Sequence, residues 1–189
     1  QCPINTAYKG DFLSWAINLP RSRMLVIGSD HLHDLDAIMD ELPLLEHVVV
    51  VQVEHLTGPD PRRSWETFEA FLDGVPGDDP GVDVTWTDDA RVMFTSGTTG
   101  RSKGVIKQQA SDYFSGRTYG LVTDLTEDDI LYSCLPLFHS NAQVLATYPA
   151  MIAGARVQFQ PRYSSTTFWQ TVTECGATVL NTVSAINYF

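Results

Sequence analysis

The residues best suited to chemistry lie in one glycine-rich segment near the middle of the chain. The run from Thr95 to Val105 is TSGTTGRSKGV, which packs three glycines, several hydroxyl side chains and two cations into eleven residues. Glycine lets the backbone turn with positive φ and approach a ligand closely, so that neighbouring N–H groups can converge on an oxyanion. Hydroxyl groups add hydrogen-bond donors, and Lys103 adds a charge that strengthens contacts with phosphate oxygens. The segment is therefore predicted to bind phosphate.

The spacing in this segment differs from that of the common P-loop. The pattern G-x-x-x-x-G-K-[ST], started at Gly97, requires a second glycine where this chain has Ser102. A surface hairpin rich in turn residues is the alternative interpretation, since Gly, Ser and Thr are common in turns. The position between a predicted strand, Arg91 to Thr95, and a predicted helix, Gln108 to Leu121, favours phosphate binding.

The string TSGTTGRSKGV resembles the signature loop of the adenylate-forming superfamily, which includes acyl-CoA synthetases, aryl-CoA ligases, luciferases and the adenylation domains of peptide synthetases. In that family the loop closes over the β- and γ-phosphates of ATP while a substrate carboxylate attacks the α-phosphorus, which gives acyl-adenylate and pyrophosphate. The family usually has proline before the lysine, where this chain has Ser102, and a loop without that proline is expected to be looser. The resemblance makes Lys103 catalytic and assigns contact with the ATP phosphates to Thr95, Ser96, Gly97, Thr98, Thr99, Gly100 and Lys103.

Two further segments resemble the same family, in the same order along the chain. Residues 3–11, PINTAYKGD, are similar to its PINP-type segment, and residues 135–139, LPLFH, are similar to an element at its acyl-binding site. The resemblance places His139 beside the carboxylate-binding pocket as a second catalytic residue. A histidine that packs in the core or caps a helix is the alternative. The residues that follow, Asn141 to Gln143, are similar to those of carnitine and crotonobetaine CoA ligases and of some fatty acyl-CoA ligases.

Strand-like apolar runs alternate with helix-like segments along most of the chain. This alternation is typical of an α/β fold in which a mainly parallel sheet has helices on both faces. A stretch rich in Gly, Pro and Asp, residues 73–88, is predicted to link the first β/α units, residues 1–72, to the units that carry the phosphate loop and the LPLFH element, residues 89–189. The predicted strands are 24–27, 48–53, 91–95, 130–134, 156–159 and 178–180, and the predicted helices are 11–19, 30–42, 64–72, 108–121, 141–153 and 166–175.

Composition narrows the possible partners. The chain of 189 residues is 43% hydrophobic and 19% charged, an ordinary globular composition, and its formal net charge of -11 disfavours nucleic acid as a partner. Its cysteines, Cys2, Cys134 and Cys175, lack CxxC spacing and are interpreted as buried free thiols of a cytoplasmic protein. No apolar run approaches the roughly 20 residues that span a bilayer, so no transmembrane segment is predicted.

The resemblance implies an AMP-forming ligase that converts a small-molecule carboxylic acid, ATP and CoA to acyl-CoA, AMP and pyrophosphate. It covers well under half of a family member, and both ends look cut, so we expect an internal fragment of the large N-terminal domain. The family's ribose-binding aspartate, its Mg²⁺-binding glutamate and the lysine of its C-terminal domain are expected downstream, and the fragment alone is expected to be inactive. Two alternatives stay open: an amino-acid-activating adenylation domain, against which the LPLFH element argues, and a non-catalytic nucleotide-binding module.

Overall fold

The structure, a computed structural model, describes residues 1–51, 65–95, 101–184 and 186. The chain divides into two compact units. The larger unit comprises residues 1–3, 84–96 and 105–189, and the smaller unit comprises residues 4–83 and 97–104. The division at residues 83 and 84 falls inside the stretch predicted as a linker, while the domain boundaries inferred from the sequence stay a prediction.

The smaller unit is built on a parallel sheet of three strands in the order β1-β2-β3. The strands are β1 (Met24–Gly28), β2 (His47–Val51) and β3 (Trp65–Thr67), and the helices are α1 (Gly10–Asn18), α2 (Leu32–Asp36) and α3 (Phe68–Leu72). Valines suit a strand that is covered by helices, and alternate residues of β2 point into the main core. That core contains Leu13, Ile17, Leu32, Leu35, Ile38, Leu42, Val48 and Val50.

The helix predicted over residues 30–42 is broken into short pieces. Turns of 3₁₀ helix at Ser29–His31 and Met39–Glu41 flank α2, and Ile38 has φ of -125° and ψ of 7°, outside the α-helical region. The apolar spacing was interpreted correctly, because Leu32, Leu35 and Ile38 are all buried. Short helical turns bury these three side chains as well as a continuous helix would. Apolar residues at helical spacing therefore do not by themselves require an unbroken helix.

The larger unit contains a parallel sheet with β6 (Ile130–Ser133) between β7 (Arg156–Phe159) and β8 (Val179–Asn181). Successive residues of β6 face opposite sides. Leu131 packs with Ala146 and Ala150 on one side, whereas Tyr132 packs with Phe168 and Val172 on the other. Helices therefore cover both faces of this sheet, as the sequence predicted. The two covering helices are α6 (Tyr148–Ala153) and α7 (Phe168–Glu174).

A second, two-stranded sheet pairs β4 (Asp89–Phe94) with β5 (Gly104–Gln108), and α4 (Gln109–Val122) follows β5 directly. Helix α4 crosses α6 closely at Gly116, where an added Cβ would lie 2.8 Å from the Cβ of Tyr148. Among residues 1–51, 65–95 and 101–184, no helix combines the length and the apolar character of a membrane span.

The segment after β6 is helical from residue 140 to residue 153 but is not uniformly α-helical. It begins as α5 (Ser140–Ala142), passes through a π-helical turn at Gln143–Thr147 and continues as α6. Pro149 near the start of α6 has no N–H for the carbonyl four residues earlier, and a wider turn before a proline accommodates that loss. Gly154, with φ of +77°, ends α6, as predicted, in the left-handed conformation that favours glycine.

Candidate functional site

The glycine-rich segment lies between β4 and β5. Thr95 directly follows β4, and Lys103 directly precedes β5, so a described strand borders each end of the segment. Both residues are solvent-exposed. The predicted phosphate ligands Ser96, Gly97, Thr98, Thr99 and Gly100 lie outside the described residues.

The chain just before Lys103 is anchored within the smaller unit. The Ser102 hydroxyl and the Tyr8 hydroxyl are 3.0 Å apart, and the indole N–H of Trp15 donates a hydrogen bond of 3.1 Å to the Ser102 carbonyl. The guanidinium of Arg101 lies 5.1 Å from the centre of the Trp15 ring, in cation–π geometry. Tyr8 and Trp15 thus hold the chain next to the predicted phosphate-binding lysine.

These contacts change the interpretation of Ser102. The sequence suggested a looser loop because serine replaces the usual proline. In the structure the serine hydroxyl gains a partner that proline lacks, and the Ser102 carbonyl is held by the Trp15 indole. Hydrogen bonds of this kind contribute about 0.5–1.5 kcal/mol each, which is comparable to the stiffening that a proline provides.

The LPLFH element, residues 135–139, follows β6, the central strand of the larger sheet, after one intervening residue. The carboxyl ends of parallel strands are the edge at which α/β sheets bind ligands. The backbone N–H of His139 donates to the Pro136 carbonyl at 3.0 Å, which closes a turn. The imidazole of His139 is exposed and lies 4.5 Å from the Phe138 ring, centre to centre. His139 is therefore placed on a turn at the carboxyl end of β6 and outside the core, which removes the core-histidine alternative.

A buried polar network connects β4, α4 and the helical segment after the LPLFH element. The side chain of Arg91, on β4, is fully buried, and its Nη2 contacts Asp112 Oδ1 on α4 at 2.5 Å. Its Nη1 donates to the Gln143 carboxamide oxygen and, at 2.8 Å, to the Tyr148 hydroxyl. The Arg91 guanidinium also lies 5.1 Å from the centre of the Tyr148 ring. A buried charge is tolerated only with such partners, so this network fixes the positions of the elements that it joins.

Gln143 extends the network to the LPLFH element. Its carboxamide nitrogen donates to the main-chain carbonyl of Leu137, two residues before His139, and lies 3.9 Å from the sulfur of Met93 on β4. The network therefore joins β4, the strand before the glycine-rich segment, to the turn that carries His139, and both belong to the larger unit.

Sequence reasoning did not assign a role to Arg91, Asp112 or Tyr148, and it used Gln143 only as part of a family resemblance. The available signal was an arginine inside an otherwise apolar strand, ARVMF. An arginine there must either reach solvent or find a buried carboxylate. The sequence does not show which carboxylate.

Besides the Nε of Arg91, two polar groups among the described residues of the larger unit are buried without a hydrogen-bond partner. Asn181, at the carboxyl end of β8, is 4% exposed and has an unpartnered side-chain nitrogen, and Asn141 has a buried unpartnered side-chain oxygen. Asn181 is in register with Ser133 at the end of β6. Nearby, burial raises the pKa of the Cys134 thiol, which keeps it protonated at neutral pH. Within the described part of the chain, no three His, Cys, Asp or Glu side chains gather in a metal-binding group.

Comparison with known families shows the class of protein to which this fold and this loop sequence belong. The AMP-binding enzyme family matches residues 1–188, and the chain belongs to this family. Two relatives are crotonobetaine/carnitine–CoA ligases of Salmonella. The protein of Salmonella typhi is 28% identical over 94% of this chain, and that of Salmonella heidelberg is 30% identical over 94% of this chain. The chain spans 34% of the length of each relative.

Solved structures have the same fold. MatB from Rhodopseudomonas palustris, solved with ATP bound, superposes with a TM-score of 0.75 at 26% identity over 95% of this chain and 33% of its own. The anthranilate CoA ligase AuaEII, solved with anthranoyl-AMP, gives a TM-score of 0.81 at 21% identity over 95% of this chain and 34% of its own. These matches confirm the mixed α/β architecture, with parallel sheets and helices.

Proposed function

We propose that these residues form the part of an AMP-forming acyl-CoA synthetase that holds the triphosphate of ATP and one side of the acyl site. The observation that carries the proposal is the family match over residues 1–188, which includes a lysine-bearing phosphate-loop sequence between two strands. A solved relative, MatB, contains ATP.

The proposed reaction has two steps. A carboxylate oxygen of the acid attacks the α-phosphorus of ATP, and the bond from that phosphorus to the bridging oxygen of the β-phosphate breaks. Pyrophosphate leaves and acyl-adenylate remains. The sulfur of CoA then attacks the acyl carbon, the bond from that carbon to the phosphate oxygen of AMP breaks, the thiol proton passes to solvent, and AMP leaves.

The chain contributes electrostatic stabilisation in the first step. Negative charge develops on the departing pyrophosphate, and a fixed cation with hydroxyl and N–H donors stabilises that charge more than it stabilises the ground state. We assign this role to Lys103 and to Thr95, Ser96, Gly97, Thr98, Thr99 and Gly100. The hydrogen bonds of Tyr8 and Trp15 to Ser102 support the assignment of Lys103. They hold the main chain next to Lys103, so this lysine loses less entropy when it binds phosphate.

His139 is assigned to the acyl side of the site. Its exposed imidazole lies on a turn at the carboxyl end of β6, where α/β sheets bind ligands. A neutral or charged imidazole there can donate a hydrogen bond to the substrate carboxylate. The acid is a small-molecule carboxylate, and two relatives are named as ligases of crotonobetaine and carnitine.

Magnesium, when bound, supplies charge neutralisation at the β- and γ-phosphates. The glutamate that binds it and the aspartate that binds the ribose are assigned outside these residues, since the chain spans 34% of the length of its relatives. We therefore expect the 189-residue chain alone to bind a triphosphate but not to turn over. The three described free thiols support the cytoplasm as its compartment.

The function is tested by pyrophosphate release from the full-length protein with ATP and a panel of carboxylic acids, with and without CoA. An acyl-CoA synthetase releases pyrophosphate in the presence of one class of acid and needs CoA for multiple turnovers. Turnover that depends on a carrier-protein thiol would indicate an amino-acid adenylation domain. Binding of ATP without release for any acid would indicate a nucleotide-binding module.

A further inference from the structure

The larger unit contains a polar chain that runs from Asp112 through Arg91 and Gln143 to the carbonyl of Leu137. We propose that Gln143 is a positioning residue for the acyl site. Its carboxamide fixes the main chain of the LPLFH turn, and therefore His139, from inside the core. The inference rests on the proposed function, because that function identifies the turn as part of the acyl site.

The neighbours of Gln143 determine which way its carboxamide points. Arginine has donors but no acceptor, so the Gln143 oxygen must face Arg91. The amide nitrogen must then point the other way, and there it meets the Leu137 carbonyl, which can only accept. A flipped amide would place donor against donor and acceptor against acceptor. The carboxamide is therefore held in one orientation by its chemistry.

The anchor behind Gln143 is rigid. Arg91 has a fully buried side chain, and it is held by the Asp112 carboxylate at 2.5 Å and by the Tyr148 hydroxyl at 2.8 Å. Asp112 is also buried. A hydrogen bond to a buried charge is stronger than one between neutral groups, so the Gln143 oxygen has little freedom to move away.

The local helix geometry directs Gln143 towards the turn. Gln143 begins the π-helical turn, where the N–H of Tyr148 donates to the Gln143 carbonyl and the Thr147 hydroxyl donates to the Ala142 carbonyl at 3.0 Å. A π-helical turn costs stability relative to an α-helix and re-aims the side chains that it contains, which is why such turns are frequent at functional sites. Here it brings both Gln143 and Tyr148 onto Arg91.

The turn itself has few other ties to the core. Leu135 and Phe138 are partly buried, but Pro136, Leu137 and His139 are exposed, and Leu137 is 50% exposed, so side-chain packing contributes little to the orientation of the Leu137 peptide. The hydrogen bond from Gln143 ties its main chain to the buried network. Loss of that bond should let the Leu137 peptide rotate and displace His139, two residues on.

Gln143→Glu is the informative variant, measured in the full-length protein. A glutamate keeps the contact with Arg91, as an ion pair, but its ionised carboxylate cannot donate to the Leu137 carbonyl. Gln143→Leu loses both contacts. Gln158→Glu is the matched control, because it makes the same chemical change on β7, where the amide donates to the adjacent Phe159 carbonyl at 3.2 Å. The measurements are KM for the acid, KM for ATP, melting temperature, and hydrogen–deuterium exchange of the peptide that covers residues 135–140.

We expect Gln143→Glu to raise the KM for the acid by about tenfold, as loss of one hydrogen bond predicts, and to leave the KM for ATP within about twofold. Its melting temperature should fall, because two carboxylates on one buried guanidinium leave a negative charge unpaired, and exchange at 135–140 should be faster. Gln143→Leu should raise the acid KM similarly and also lower the melting temperature. Gln158→Glu should change none of these.

Two results would overturn the inference while the proposed function stands. In the first, Gln143→Glu behaves like Gln158→Glu in an active enzyme. In the second, it raises both KM values together, which indicates a general structural role. Wild-type protein that releases no pyrophosphate with any acid would instead refute the proposed function, and the acyl role of Gln143 with it.

Discussion

The strongest stability prediction concerns the buried ion pair of the larger unit, tested by Asp112→Ala. The change removes the carboxylate that lies 2.5 Å from a guanidinium whose side chain has no exposed surface. The remaining partners of Arg91 are the neutral Gln143 oxygen and Tyr148 hydroxyl, and its Nε already lacks a partner. Breaking a buried pair from one side costs about 3–5 kcal/mol because the other charge stays buried.

Full burial of the guanidinium places the expected loss at the upper end of that range, about 4–5 kcal/mol. Removing both charges should restore most of the free energy of unfolding that Asp112→Ala loses. Arg91→Met with Asp112→Leu replaces the pair by apolar groups, which is often neutral or stabilising for a buried pair, and leaves mainly the Gln143 oxygen to find a new donor at about 1–3 kcal/mol. The double variant is therefore expected to be more stable than Asp112→Ala.

Urea unfolding of the wild type, Asp112→Ala and the double variant measures these free energies. Tryptophan fluorescence and far-ultraviolet circular dichroism are followed together, because coincident transitions justify a single unfolding free energy. Asp112→Asn is a useful additional variant, since it keeps an acceptor for Arg91 but removes the charge. A loss below about 1 kcal/mol for Asp112→Ala, the size of an exposed ion pair, would refute the reasoning that the network is buried and structural.

Two other contacts give separate predictions. Trp15→Phe keeps an aromatic ring but removes the indole donor to the Ser102 carbonyl; we expect the KM for ATP to rise about 2–10-fold with the acid KM unchanged, and equal increases in both would count against a loop-anchoring role. The N–H of Thr126, and the hydroxyls of Thr178 and Thr126, lower the pKa of Asp129. A lowered pKa stabilises the fold above the unfolded value of about 4 and the benefit disappears as the pH falls through the folded value. The urea midpoint of the wild type should therefore fall more steeply below about pH 4 than that of Asp129→Asn, and parallel profiles would contradict this assignment.

Several elements of the fold follow from local sequence patterns. The helix predicted over residues 108–121 is α4, and the strand predicted over 156–159 is β7, because each has a strong pattern and a clear boundary. Apolar spacing also predicted the buried residues of the segment after β1, where short helical turns replace the predicted continuous helix. In these segments the local pattern of apolar residues indicates whether a helix or a strand forms and which residues are buried, so the sequence alone predicts both.

The errors occur where pairing with distant strands decides the structure. Residues 65–67 were predicted to begin a helix, but they form β3 because they pair in parallel with Val48 to Val50 of β2. Strand β5 was missed for a related reason. Its apolar residues Val105 and Ile106 are both exposed, so the pattern lacks the alternation of a half-buried strand.

The same contrast between local patterns and long-range contacts holds for the candidate site. Thr95, Lys103 and His139 could be proposed as site residues from the sequence because their motifs are local and specific, and their roles stay a prediction. The network of Arg91 could not be proposed in this way, since its partners Asp112, Gln143 and Tyr148 are separated from it by 21, 52 and 57 residues. No periodicity or spacing encodes such contacts, which arise only when the elements pack.

The central claim, that Lys103 stabilises the pyrophosphate released from ATP, is tested most directly by Lys103→Ala with the two steps measured separately. Acyl-adenylate formation is measured by rapid quench, thioester formation is measured from preformed acyl-adenylate, and Lys107→Ala in β5 is the matched control. Loss of a charge-assisted hydrogen bond of about 1.5–3 kcal/mol predicts adenylate formation about 10–100-fold slower in Lys103→Ala, with thioester formation nearly unchanged. Equal slowing of both steps, or an adenylation rate like that of Lys107→Ala, would contradict the claim.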